Sequence, residues 1–443
     1  MSSTIGDVLS SSQIEAIRQA ASDLLPDCQE FLAQLLKIDT TNPPGYNYLA
    51  CAELIGNKLE SFGYGVEYID VPEELLPILA PLGEGLPRRN LIGRLLPSEE
   101  GRGPTLHVNG HFDVVSAGTV SNWKHDPFGA EVEDGRMYGR GSADQKSGIA
   151  TQIFAAQAVR NAGLNFVGKL EQSAVVDEET TGNRNAGMGY LVETGQISAA
   201  TVDAVIITEP LNKDNVCFAH RGTIWGEITF HGRAAHGSMP GLGINALEHA
   251  CAFVYLASQR INSLIANYVD ETVIPVEAQK ASIAFTVIQA GDNINSVPDK
   301  ATVNFDRRLV SPETLAEARQ QITDVLDEMK ATDFPDLNYE YAESYYTEPT
   351  VVPTDAPISL LLQDAIKLVT GGPAGLVTSP GSDDQRFLVH TADPPVWSTF
   401  LYGPGNISQA HITDESVDLE NELKVSLEVM ALAFAAYLGV EAA

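Results

Sequence analysis

From Gly110 to Gly148 the chain reads GHFDVVSAGTVSNWKHDPFGAEVEDGRMYGRGSADQKSG, and this stretch limits the possible folds more than any other. An apolar run, Leu106 to Gly110, leads into His111-Phe112-Asp113. Alternate side chains of a strand share a face, so the carboxylate of Asp113 can grip one imidazole nitrogen of His111 while the other faces a metal ion. Asp144 follows a Gly139-Arg140-Gly141 turn and opens a helical pattern of Ile149, Ile153, Ala156 and Val159. Glycine-permitted turns of this kind carry a side chain from a sheet edge to a helix start, where ligands commonly sit.

The remaining pattern alternates strands and helices. Helical spacing runs from Ile14 to Ile38, interrupted at Pro26, and again from Ala50 to Phe62. Strands are predicted at Gly65 to Ile69, Asn90 to Leu96, Leu106 to Val108, Lys169 to Val176 and Asp203 to Thr208. Such alternation implies an α/β domain, a mixed sheet between helices. After Pro210 the character changes. Val216 to His231 alternates as one antiparallel strand, a helix follows over about 246–266, strands over 282–289 and 301–309, and Pro312 to Ala331 forms a helix started by Ser311. This is an inserted α+β domain, 213–332, between 1–212 and 333–443. The closing part carries a helix near Ile358 to Val369, a strand at Trp397 to Leu401 and a helix from Leu419 to Leu438.

Carboxylates gather where strands end. Asp177-Glu178-Glu179 follows one strand and Glu209 another. Adjacent carboxylates repel unless a cation or a shared proton lies between them. With His111, Asp144 and His411 they make three carboxylates and two imidazoles around an extra glutamate, a donor set that suits a pair of divalent ions bridged by one carboxylate. Zinc is the natural occupant for mixed N/O donors, and Mn(II) or Co(II) fit the same ligands.

The motifs GHFDVV, WxxDPF and DGxxYGRGSADxKxG, in order, resemble the dinuclear zinc metallopeptidase and deacylase family of acetylornithine deacetylase and succinyl-diaminopimelate desuccinylase. The resemblance implies Asp144 as the bridge, His111 and Glu209 completing one metal, and Glu179 and His411 the other. It makes Glu178 the general acid and base that takes a proton from the attacking water, with Asp113 orienting His111. His236, in GRAAHGSMP, matches a lid histidine that crosses a dimer interface to stabilise the oxyanion, which makes 213–332 the lid and dimerisation domain of a homodimer. Asn295, Arg308, Arg386, Gly381 and Ser382 match substrate-binding positions. One departure stands out: Asp383 replaces the usual small residue before the aspartate of that loop. The implied substrate is a small carboxylate-bearing amide, an N-acyl amino acid. A di- or carboxypeptidase, or a hydrolase releasing ammonia or an amine from a non-peptide molecule, uses the same machinery.

Composition excludes other classes. Against 27 lysines and arginines stand 59 acidic residues, a net charge of −32, which leaves no basic surface for nucleic acid. The apolar run Val429 to Val440 falls short of the ~20 residues that cross a bilayer, and the N-terminus lacks the basic and apolar pattern of a secretory signal. Four scattered cysteines, Cys28, Cys51, Cys217 and Cys251, suit buried thiols in a reducing cytoplasm. No GxSxG elbow accompanies the histidines, against a serine hydrolase. A noncatalytic relative would show damage at Glu178 or the ligand set, and none is present. Six histidines, His107, His125, His220, His231, His249 and His390, fall outside the motifs and are expected to be structural or superficial.

Overall fold

The computed structural model describes residues 4–97, 102–179 and 182–443. The chain divides into two compact units, one of Met1–Phe218, Val352–Val377 and Asp383–Ala443, the other of Ala219–Val351 with Thr378–Ser382.

The first unit is built on a mixed sheet ordered Gly65–Asp70, Arg89–Leu95, Lys169–Val175, Thr105–His111, Ala204–Ile207, Thr399–Leu401 and Asn215–His220. Thr105–His111 runs parallel to both Lys169–Val175 and Ala204–Ile207, and Thr399–Leu401 is parallel to Ala204–Ile207. Fully buried Leu106, Val108, Leu170 and Ile206 explain why these strands read as apolar runs. Parallel strands all end at one edge, and in such sheets ligands bind beyond the carboxyl ends. His111 terminates one strand, while Glu178 and Glu209 follow the next two closely.

Helices Ser11–Leu36, Lys146–Asn161 and Lys424–Leu438 pack against one another beside this sheet. Pro26 does not interrupt the first of them. A mid-helix proline costs about 3 kcal/mol, and burial of Leu25, Cys28, Phe31, Leu32 and Leu35 outweighs it. The last helix begins with a π-helical turn, Leu419–Leu423, whose first N–H groups Asp418 caps. Among the described residues no helix is long and apolar enough to cross a membrane.

The second unit is a four-stranded antiparallel sheet ordered Ser282–Ala290, Lys300–Leu309, Gly222–His231 and Asn338–Thr347, packed by helices Ala246–Ile265 and Leu315–Ala331. Its core includes Ile228, Phe253, Val303 and Leu326. Three details differ from the sequence reading. Val216 to His231 is two strands, Asn215–His220 and Gly222–His231, interrupted at Arg221. Asn338–Thr347 pairs with Gly222–His231 and so belongs to this unit, which extends the insertion past residue 332. The helix expected to start at Ser311 is capped instead by Thr314, whose side chain accepts from the Glu317 N–H while the Glu317 carboxylate reaches back. Of the cysteines, Cys28, Cys51 and Cys217 are buried, but Cys251 is exposed.

Candidate metal centre

Five residues from distant parts of the first unit converge. His111, Asp144 and Glu209 offer donor atoms within 4.8 Å of one another, as do Asp144, Glu179 and His411. Asp144 is common to both groups. One of its carboxylate oxygens, Oδ1, lies 3.0 Å from His111 Nε2, and the other, Oδ2, 3.4 Å from His411 Nε2. Glu209 Oε1 is 3.8 Å from His111 Nε2, and His411 Nε2 is 3.0 Å from the Glu179 carboxylate. Glu178 belongs to neither group, yet its Oε2 is 3.9 Å from His111 Nε2.

Local geometry aims these groups. His111 Nδ1 is 3.0 Å from the backbone oxygen of Asp113, which can only accept, so Nδ1 carries a proton and Nε2 is the nitrogen that faces the carboxylates. The Asp113 carboxylate is 3.5 Å from the same nitrogen. It does more for the opposite wall, accepting from the backbone N–H groups of Glu178 at 3.2 Å and Glu179 at 3.1 Å. Asn42 Nδ2 donates to Asp113 and to Asp177, each at 3.0 Å. Asp177, just before the glutamates, has a left-handed φ of 59° and is held by Tyr48 and by the fully buried Arg88. His411 is also left-handed, with φ 63°. Each such non-glycine residue costs roughly 1–3 kcal/mol, which the surrounding contacts must offset.

The electrostatics are unbalanced. Burial pushes the Glu178 carboxyl well above its usual range, reinforced by the neighbouring charges of Asp384, Glu179 and Asp144 and opposed by His111. Glu209 is raised for the same first reason, and by Asp144. Burial opposes charging His411, but bonds to Asp144 and Glu179 outweigh it and hold the imidazole at about 11. Among the described residues no lysine or arginine pairs with Asp144, Glu178, Glu179 or Glu209. A buried acidic group of this kind needs cations, and mixed imidazole and carboxylate donors suit a divalent ion.

The remaining predicted residues divide between the units. Arg386, in the first, is buried and donates to the Gly182 carbonyl at 2.9 Å, with its guanidinium over the Phe387 ring. Gly381 and Ser382 fall in the second unit, where Ser382 bonds Tyr345 and Gly381 has open space where a side chain would project. His236 and Asn295 are also there, joined by the Gly237 N–H to Asn295 carbonyl bond of 2.7 Å. Ser238 N donates to His236 Nδ1 at 3.1 Å, leaving the ring proton on Nε2 of an exposed side chain. Arg307 is fully buried against Glu313, whereas Arg308 is partly exposed and pairs through two nitrogens with Asp306. The strand register therefore turns Arg308, and not Arg307, outward.

Sequence reasoning missed Asn42, Asp384 and Glu415, and gave Asp177 no role of its own. Asp384 is buried, accepts from Asn109 at 3.2 Å and is pushed by burial to about 6. Nothing local marks these residues except an asparagine before a proline pair and acids close to the ligands.

Paired imidazole and carboxylate clusters beyond the carboxyl ends of parallel strands can hold divalent ions that activate water, the chemistry of a metallohydrolase acting on amide or peptide bonds, and the family match bears this class out. The sequence pattern of peptidase family M20/M25/M40 matches residues 107–436, and the chain belongs to that family. It is 24% identical over 416 residues to a probable succinyl-diaminopimelate desuccinylase of Staphylococcus aureus, covering 89% of this chain and 94% of that protein. In structure it is similar to the dipeptidase Dug1p of Saccharomyces cerevisiae, with TM-score 0.74, 18% identity and coverage of 96% and 99%. The M20 family metallo-carboxypeptidase Sso-CP2 of Sulfolobus solfataricus follows the same fold, with TM-score 0.69, 16% identity and coverage of 92% and 98%.

Proposed function

We propose that this protein hydrolyses the amide C–N bond of a small N-acyl amino acid with a free carboxylate, holding two divalent ions, zinc as first assignment. The observation that carries this is the pair of ligand groups sharing Asp144, with Glu178 beside them and outside both. His111, Asp144 and Glu209 would hold one ion, and Asp144, Glu179 and His411 the other. Bound there, such ions supply Lewis acidity for the substrate carbonyl and acidify the attacking water.

The chain's own groups handle the proton. Glu178 accepts it at a carboxylate oxygen as water attacks the carbonyl carbon, then delivers it to the amine nitrogen as the C–N bond breaks. Asp113 holds the Glu178-Glu179 backbone and contacts His111, fixing base and ligand together. His236, with its proton on Nε2, has the tautomer an oxyanion donor needs. Asn295, Arg308, Arg386, Gly381 and Ser382 are assigned to binding the substrate's carboxylate and backbone. Free cysteines throughout support a cytoplasmic setting.

A homodimer through the second unit is supported by its open edge. Strand Ser282–Ala290 ends the sheet and exposes Val287 and Ile288, which with Tyr255 of the neighbouring helix line an apolar groove. Unpaired strand edges of this kind invite a second copy. Likeness to the yeast dipeptidase and the Sulfolobus carboxypeptidase supports a di- or carboxypeptidase as the second reading.

The test is a hydrolysis screen of the metal-loaded protein against N-acetyl, N-succinyl and N-formyl amino acids, dipeptides and aromatic amides, with Glu178→Ala as blank. Turnover of N-acyl amino acids above dipeptides, absent in the blank, is expected. Equal turnover by the blank would remove Glu178 from the mechanism, and a preference for dipeptides would select the second reading.

A further inference from the structure

Asp144 and His411 sit on separate loops, 139–145 and 405–415, and a dinuclear site works only if these loops keep one spacing. A small antiparallel sheet joins them, with Ser416 opposite Tyr138, Val417 opposite Met137 and Asp418 opposite Arg136. The Gly139 N–H extends that ladder to the Glu415 carbonyl at 2.9 Å. Beyond the ladder, the fully buried Glu415 side chain takes over. Its Oε1 accepts from three backbone N–H groups, Gly141 at 3.1 Å, Ala143 at 2.9 Å and Asp144 at 3.0 Å. Its Oε2 accepts from Arg140 Nη1 at 2.5 Å. Arg140 also donates to the Ser116 carbonyl at 3.3 Å and lies over the Trp123 ring.

Successive backbone N–H groups around a concave turn form an anion-binding nest. Here the anion belongs to the protein. The nest needs the left-handed φ of 88° at Gly141, where an added Cβ would meet Val114 at 2.7 Å.

We propose that Glu415 is a positioning residue of the metal centre, setting the distance between the shared ligand Asp144 and His411. The inference rests on the dinuclear reading above. It is selective: His111 ends a core strand and Glu209 follows another, so their placement does not depend on the nest. The group of Asp144, Glu179 and His411 depends on it twice, through the Asp144 backbone and through the three residues that link His411 to Glu415.

The test is Co(II) titration of the full-length apoprotein, following bound metal and the visible spectrum, for wild type and Glu415→Gln. Glutamine keeps an acceptor oxygen for the nest but loses the charge that strengthens these bonds and turns an amide toward Arg140. Wild type is expected to bind two ions. In Glu415→Gln the first, which meets the nest only through Asp144, should weaken less than the second, which should bind about 10- to 100-fold more weakly with an altered spectrum. Two ions bound with wild-type affinities and spectrum would overturn the proposal. So would equal weakening of both in parallel with a lowered melting point of the apoprotein, the mark of a merely structural residue. Failure of wild type to take two ions would instead overturn the dinuclear reading. Glu415→Ala, which empties the nest, should enlarge the same asymmetry.

Discussion

Two histidines on one strand, His107 and His111, show how burial alone fails to distinguish structure from function. Both are almost fully buried. His107 has each ring nitrogen occupied, Nδ1 at 3.2 Å from Glu171 and Nε2 at 2.8 Å from Ser173. Glu171, directly across the parallel ladder, also receives Lys169 and Arg94, so its charge is answered. Four residues on, His111 faces Asp144, Glu209 and Glu178 with no lysine or arginine among the described residues to answer them. Balanced charge locks a sheet; surplus charge of one sign makes a place for a cation.

That contrast can be broken in several ways. Removing metal has the largest effect: dialysis against a chelator should abolish hydrolysis, and added zinc should restore it, whereas a protein whose activity survives metal-free would refute the cation argument. Next, Glu178→Gln should lower kcat by roughly 10²- to 10⁴-fold with metal content, read by elemental analysis, unchanged; Glu179→Gln should lose both. On the balanced side, Glu171→Ala should cost about 3–5 kcal/mol of stability in denaturant unfolding, while kcat/KM of the folded fraction stays near wild type. A large kcat loss there would erase the distinction between the two histidines.

The smallest effect is in pH. Bonds and charges from His107 and Lys169 overcome burial and hold Glu171 at about 2, against 4.5 for a free glutamate. Between these values the unfolded chain binds a proton that the native state does not, so stability rises with pH across that window and is lost as pH falls through it. Glu171→Gln should flatten the acid-unfolding curve between about 4.5 and 2. An unchanged slope would show the carboxylate is not the paired group described.

Much of the metal centre was legible locally. The HxD and GRGxxD spacings, the Glu178-Glu179 pair and Glu209 after a strand all pointed to side chains that the fold brings together, because parallel strands deliver their terminal side chains to one edge. The second unit was harder. Asn338–Thr347 reads NYEYAESYYT, a polar and aromatic alternation typical of a strand with one solvated face. It passed unrecognised because its partner, Gly222–His231, lies more than a hundred residues earlier.

The amino-acid sequence by itself determined which side chains could bind metal and the strand and helix pattern that carries them, since spacing and burial preference are written residue by residue. Only tertiary structure decided that Glu415 closes a nest under Asp144, that Asp113 serves the glutamate pair as well as His111, and that Arg308 faces outward while Arg307 is interred. Those outcomes depend on contacts between segments remote along the chain, and on register, in which one residue's shift reverses every side chain.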